Sequence, residues 1–214
     1  MKQSILLALA VAFASGNAAW ANLLDDPGFE AATHDSQTSN SAWTLTDTDG
    51  DDTVQPAKFW DASWASNPLD QEGTGVWFRA FLGNDTAPVD ATLSQTVAAG
   101  PGVYDLSFFV RHETNYLADS ASVILSSDAG DSATFDLLGS ANDGAYNQYS
   151  IANFVASAGT TALTVDVTMI GGRDAMANPQ SLMVDDFALT SVPEPAALAL
   201  AGLAVAGALA RRRR

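Results

Sequence analysis

The sequence of 214 residues has no cysteine. That absence excludes disulfides, thiolate metal ligands and a cysteine nucleophile. Basic residues are also scarce: nine Lys and Arg stand against twenty-five Asp and Glu, a formal net charge of −16. A surface this acidic repels phosphate backbones, so nucleic acid is excluded as a partner. Only two histidines occur, His34 and His112, and neither has metal-ligand spacing to a partner. There is no G-x-S-x-G elbow, phosphate loop or H-E-x-x-H motif. A glycosidase needs only two carboxylates, but the many acids here single out no pair. Arg111-His112-Glu113 is the one compact polar trio, and a strand end at the surface accounts for it equally well. The expectation is a protein that is not an enzyme.

The two ends are unlike the rest. Lys2, an apolar stretch from Ile5 to Ala14, and Ala19-Trp20-Ala21 form a positive start, a hydrophobic region and a small-residue cleavage site. That pattern predicts a signal peptide over 1–21 and export. At the other end stand Val192-Pro193-Glu194-Pro195, an uncharged apolar run over 196–210, and Arg211, Arg212, Arg213 and Arg214. As a helix the run would rise about 22 Å, short of the roughly 30 Å hydrocarbon core. The arginines supply a cytoplasmic stop, so the run reads as a temporary membrane hold. Between these segments, residues 22–190 carry four basic and twenty-four acidic residues, net −20. This length suffices for one domain with its own core.

Within 22–190 the hydrophobic period is two. Leu163, Val165, Val167 and Met169 alternate with polar residues, as do Tyr104, Leu106, Phe108 and Val110. Val123 to Leu125, Phe135 to Leu138 and Leu182 to Leu189 are further candidate strands. Turn signals separate them at Gly100-Pro101-Gly102, Asp128 to Asp131, Asn142-Asp143-Gly144 and Gly171-Gly172. The pattern predicts an all-β, antiparallel sandwich. The polar stretches from Thr33 to Asn40 and from Thr44 to Gln55 read as loops. Asp47-Thr48-Asp49-Gly50-Asp51-Asp52 is an exposed acidic turn, because an EF-hand would need glutamate where Lys58 stands. Trp77, inside the apolar run Val76 to Leu82, reads as core. Trp60 and Trp64 lie between polar segments near Pro56 and Pro68, which suits a loop. With Trp43 and Tyr116 they are the place to look for sugar stacking, and Trp60, Trp64 and Tyr116 are the candidate ligand residues.

Two resemblances add to this reading. Pro193-Glu194-Pro195, the short apolar helix and the arginine block resemble a PEP-CTERM sorting signal over 191–214. The resemblance implies processing by an exosortase after transient insertion in the inner membrane of a Gram-negative bacterium. Its carriers commonly make exopolysaccharide, which implies a place at the cell surface or in a biofilm matrix.

Four pieces of the body are similar to the galactose-binding-like jelly roll of many carbohydrate-binding modules. They are Asn22-Leu23-Leu24 with Pro27-Gly28-Phe29-Glu30; Leu93 to Val97 with Gly102 to Phe108; Tyr149 with Phe154 and the strand 163–169; and Val184-Asp185-Asp186-Phe187-Ala188-Leu189. One departure is Asp26, where the first motif usually has Asn. The resemblance implies a structural calcium held by Glu30 and one of Asp185 or Asp186. Alternation puts Asp185 beside Met183, Phe187 and Leu189; if that side is the core, Asp185 needs a cation or a donor. If the other side is the core, Asp186 inherits the requirement. The expected role is non-catalytic polysaccharide binding. A structural acidic surface protein without a sugar ligand is the alternative, and a glycan-processing enzyme comes last.

Overall fold

The computed structural model describes residues 21–31, 42–47, 55–61 and 73–193. Ten strands run through them: β1 (Thr44–Asp47), β2 (Ala57–Asp61), β3 (Thr74–Phe78), β4 (Val89–Ala98), β5 (Gly102–His112), β6 (Ser120–Ser127), β7 (Ser132–Asp136), β8 (Tyr146–Ala156), β9 (Ala162–Gly172) and β10 (Leu182–Val192). They form two five-stranded sheets, β1-β4-β9-β6-β7 and β2-β3-β10-β5-β8, and every pairing is antiparallel. The protein is the expected all-β sandwich.

Alternation builds the core. Leu163, Val165, Val167 and Met169 of β9 face Leu106, Phe108 and Val110 of β5 across the layer, all buried. Aromatic rings fill one region: Phe29 lies 5.2 Å from Trp43 and 5.8 Å from Phe59, and Phe187 stacks on Phe108 at 5.5 Å. Trp43 is therefore core, at 0 % exposure, with its Nε1 donating to the Asp26 carbonyl at 2.9 Å. It is not a ligand platform. Gln95 ties the first loop to β4, accepting from Asp25 N and donating to Asp25 O, both at 2.8 Å.

Several expectations change. Thr44–Asp47, read as loop, is β1, paired with β4 through a buried Leu45. Four residues with one apolar side chain carry too little periodicity to announce a strand. Trp60, also placed in a loop, is on β2. The strand expected through Leu138 stops at Asp136, whose carboxylate accepts from Leu138 N at 2.9 Å and starts a 3₁₀ turn over Leu137–Gly139. β10 contains a bulge between Asp185 and Ala188, with Asp186 at φ 45°. The extra residue switches parity: Leu182 and Val184 face the core before it, Phe187 and Leu189 after it. Asp185 thus shares a side with Met183 but not with Phe187. β10 also runs on to Val192, two residues beyond the expected domain end. All but the last residue of the signal peptide expected over 1–21, the stretch from Thr33 to Asn40, most of the acidic turn, Trp64 and the tail from Glu194 to Arg214 lie outside the described residues.

Candidate ligand face and carboxylate pair

The outward faces of the two sheets are chemically opposite. On β1-β4-β9-β6-β7 the register aligns Thr46, Thr92, Thr168, Ser122 and Asp136 in one row, and Thr44, Ser94, Asp166, Ile124 and Thr134 in the next. These rows are mostly hydroxyls and contain no cation. Threonine suits a pleated, half-wet surface, so this face needs no ligand to explain it.

The outer face of β2-β3-β10-β5-β8 has a different composition. Register places Lys58, Trp77, Met183, Arg111 and Tyr146 side by side, one from each strand. Next to it Trp60 stands opposite Gly75 on β2 and β3, and Asp185, Phe109 and Gln148 align across β10, β5 and β8. With strands about 4.8 Å apart, the five-residue row is roughly 19 Å long. Gly75 contributes no side chain beside Trp60 and is itself buried; glycine inside a strand often marks close approach of another backbone.

The groups on this face are held in place. The Lys58 ammonium lies 3.9 Å from the Trp60 ring centre and 5.7 Å from that of Trp77, distances at which a ring face attracts a cation. Trp60 and Trp77 meet edge to face at 5.6 Å, and the Arg79 guanidinium lies 5.4 Å from Trp77. Arg111 pairs with Glu113 at 3.0 Å and donates from Nε to the Gly144 carbonyl at 2.7 Å. Glu113 in turn accepts from Ser181 N at 2.7 Å. Burial pushes the Tyr146 hydroxyl far above the ordinary phenol range, Asp185 and Asp186 reinforce that shift, and Arg111 opposes it. Tyr146 is therefore a neutral donor and acceptor. Lys58, Met183 and Asp185 are themselves buried, at 6, 0 and 2 % exposure, so the groups this side can present to a polyol are the half-buried rings of Trp60 and Trp77, the Arg111 guanidinium and the Tyr146 phenol.

The predicted residues separate. Trp60 is on this face, half-buried, and Trp77 joins it rather than the core. Tyr116 does not: it is buried among core residues, its ring 5.7 Å from His112, and burial raises its hydroxyl pKa. Trp64 lies outside the described residues. Lys58, Arg111, Asp185 and Tyr146 were not read as ligand-face residues from the sequence. For the first, a signal exists: in Ala57-Lys58-Phe59-Trp60 alternation opposes Lys58 and Trp60 to the apolar pair.

His112 and Ser140 make the contact that most resembles catalytic machinery, Nδ1 to Oγ at 3.1 Å. Both are buried, and the Ser140 hydroxyl donates its proton to the Leu137 carbonyl at 2.6 Å. Ser140 can then only accept from His112, the reverse of what an activated nucleophile requires.

The first loop and the last strand meet at Gly28. A Cβ there would lie 3.0 Å from Asp186 Oδ1 and 3.9 Å from Glu30 Oε1, so the two carboxylates converge on the space glycine leaves. Glu30 also accepts from Thr74 N at 2.8 Å, and Phe187 N donates to the Pro27 carbonyl at 3.0 Å. Left-handed backbone recurs here, at Asp26, Phe29 and Asp186. Of the two aspartates, Asp186 is the one beside Glu30; Asp185 belongs to the ligand face, its Oδ1 accepting from Asp186 N. Among the described residues no three His, Asp or Glu side chains gather as a metal site. A cation here would draw its remaining ligands from backbone carbonyls, as calcium can.

The structure thus defines a β-sandwich module with one sheet face that combines aromatic rings and charged side chains. Residues 191–214 match the PEP-CTERM protein-sorting motif, which marks an exported protein processed at its C-terminus. Among solved structures the chain is similar to TmCBM61, a carbohydrate-binding module in complex with β-1,4-galactotriose (21 % identity, TM-score 0.56, 80 % of this chain and 99 % of that one). It is also similar to the Stig cyclase Fisc from Fischerella sp. TAU (13 %, 0.55, 80 % and 97 %). A third is the arabinose-bound α-L-arabinofuranosidase MgGH51 (17 %, 0.53, 80 % and 26 %). These likenesses concern the fold alone. No curated protein matches the sequence.

Proposed function

We propose that the protein is a non-catalytic polysaccharide-binding component of the cell surface or extracellular matrix, delivered there by exosortase processing. The observation that supports this best is the row crossing β2-β3-β10-β5-β8, with Trp77 in it and Trp60 next to it as stacking platforms. Three of the body's four basic residues, Lys58, Arg79 and Arg111, belong to this region. Arg111 is already paired with Glu113 and Lys58 is buried, so charge does not select between acidic sugars and neutral ones, and the test takes one of each. The test is titration of the 22–193 fragment with polygalacturonate and with galactan. Trp60→Ala or Trp77→Ala should weaken binding about tenfold or more, the usual effect of removing an aromatic anchor. Unchanged affinity in both variants would overturn the assignment of this face.

The hydroxyl rows of the opposite sheet favour a second reading, an acidic structural protein that hydrates the matrix without a specific ligand. Failure of the fragment to bind any glycan on an array would select it. In either case Glu30 and Asp186 are the carboxylates that would hold a structural calcium.

A further inference from the structure

We propose that, before its tail is processed, the body stands end-on against the bilayer, touching it with the β4–β5 and β8–β9 turns and holding its ligand face away. The proposal rests on the reading of residues 191–214 as a membrane-held sorting tail. It adds where the folded body lies relative to that membrane.

The first observation is the absence of a spacer. Ser191 and Val192 are still paired in the sheet, opposite Tyr104 and Val103. From Val192 to Ala196, where the apolar run begins, the chain can reach at most about 14 Å. The end of β10 is therefore confined to the membrane surface for as long as the tail is inserted. Asn22 and Leu23 lie nearby, hydrogen-bonded to Leu189.

The second observation is the chemistry of that end. Register aligns Val192, Val103 and Val155 in one outward row, and Val155 is 63 % exposed. The turns beside it, Ala99-Gly100-Pro101 and Ser157-Ala158-Gly159-Thr160-Thr161, contain no charged residue in a body of net −20. Three carboxylates lie close to this end and stay charged while accepting hydrogen bonds: Asp105 from Asn153 N, Asp131 from Ser127 and Ser157, and Asp128 from Thr161 and Ala162. An acidic surface is repelled by anionic headgroups; what this end offers a bilayer is the apolar row and two uncharged turns, with the ionised Asp128 and Asp131 set beside them on the β6–β7 turn. The opposite end also exposes apolar side chains, Leu117, Ile170 and Met176. They are interleaved with Asp119, Arg173, Asp174 and Asp85, and Arg173 pairs with Asp119.

The third element is distance. Val192 and Met183 are nine residues apart on β10, roughly 30 Å at strand rise. The rows containing Trp77, Arg111 and Asp185 are thus carried to the far end, facing the matrix.

The natural sequence lacks cysteine, so single labels are unique. Val155→Cys and Met176→Cys alter exposed side chains, and each would carry an environment-sensitive fluorophore. The full chain is reconstituted in vesicles of phosphatidylethanolamine and phosphatidylglycerol containing a headgroup-level nitroxide quencher. The Val155 probe should be quenched several-fold more than the Met176 probe, and a long Gly-Ser insertion between Val192 and Pro193 should abolish the difference. Equal quenching at both positions, or stronger quenching at Met176, would overturn the orientation. A chain that does not float with the vesicles would overturn the reading of the tail itself.

Discussion

Phe187 shows at the level of one residue how the bulge and the core depend on each other. Its ring meets Phe29, Trp43 and Phe108 within 6.0 Å, and it reaches them only because the bulge has switched the parity of β10. Phe187→Ala should lower unfolding stability by about 3–5 kcal/mol in urea titration. His112 gives a second prediction. Burial lowers its pKa from the ordinary 6.5, against the Ser140 hydrogen bond and Asp136, so the fold favours the neutral ring. The sign follows: its contribution is present above pH 6.5 and is lost as pH falls through the lowered value. His112→Gln should flatten the stability-versus-pH curve in that window. Trp77 shows what a single residue conceals. An apolar run made it look like core, yet alternation with Val76 and Phe78 sends it to the opposite face.

Among the elements, the β6–β7 turn explains part of the acid sensitivity to be expected. Asp131 is held ionised by Ser157 N and the hydroxyls of Ser127 and Ser157, and Asp128 chiefly by the Thr161 hydroxyl and amide. Both carboxyls titrate below the ordinary 3.8. The stability they contribute is present above pH 3.8 and disappears as pH falls through the lowered values. Asp131→Asn should make the loss of thermal stability on acidification less steep in that range. β5 and β9 were legible because each shows one wet and one buried face, and β6 through its apolar run Val123 to Leu125. β8 was marked only by Tyr149 and Phe154. It is an edge strand with a register shift and Asn153 at φ 56°, so no run of alternation survives long enough to read.

Across the whole molecule, the first loop and the last strand close on each other at Gly28, and this is where a cation would link the chain's ends. If calcium binds there, a concentration one hundred times its Kd should add about 2.7 kcal/mol and raise the melting temperature. Asp186→Asn should abolish the response, as should Gly28→Ala, whose methyl would press on Asp186 Oδ1. A melting temperature indifferent to calcium would remove the metal from this account. At the same scale, the sandwich sorts its surface into a hydroxyl sheet, an aromatic sheet with its own ion pairs, and an end beside the tail that bears the Val192, Val103 and Val155 row.

The sequence by itself determined the sandwich, the acidity of the body and the sorting motif over 191–214. Each of these is local or additive: a period of two, a sum of charges, a short ordered motif. Tertiary structure alone decided which carboxylate joins Glu30, since a single bulged residue moves Asp185 and Asp186 to different surroundings. It alone assembled the candidate ligand face, whose five strands are separated in the chain by up to 125 residues, from Lys58 to Met183. Pairing register, which no local pattern encodes, brings those side chains into one row.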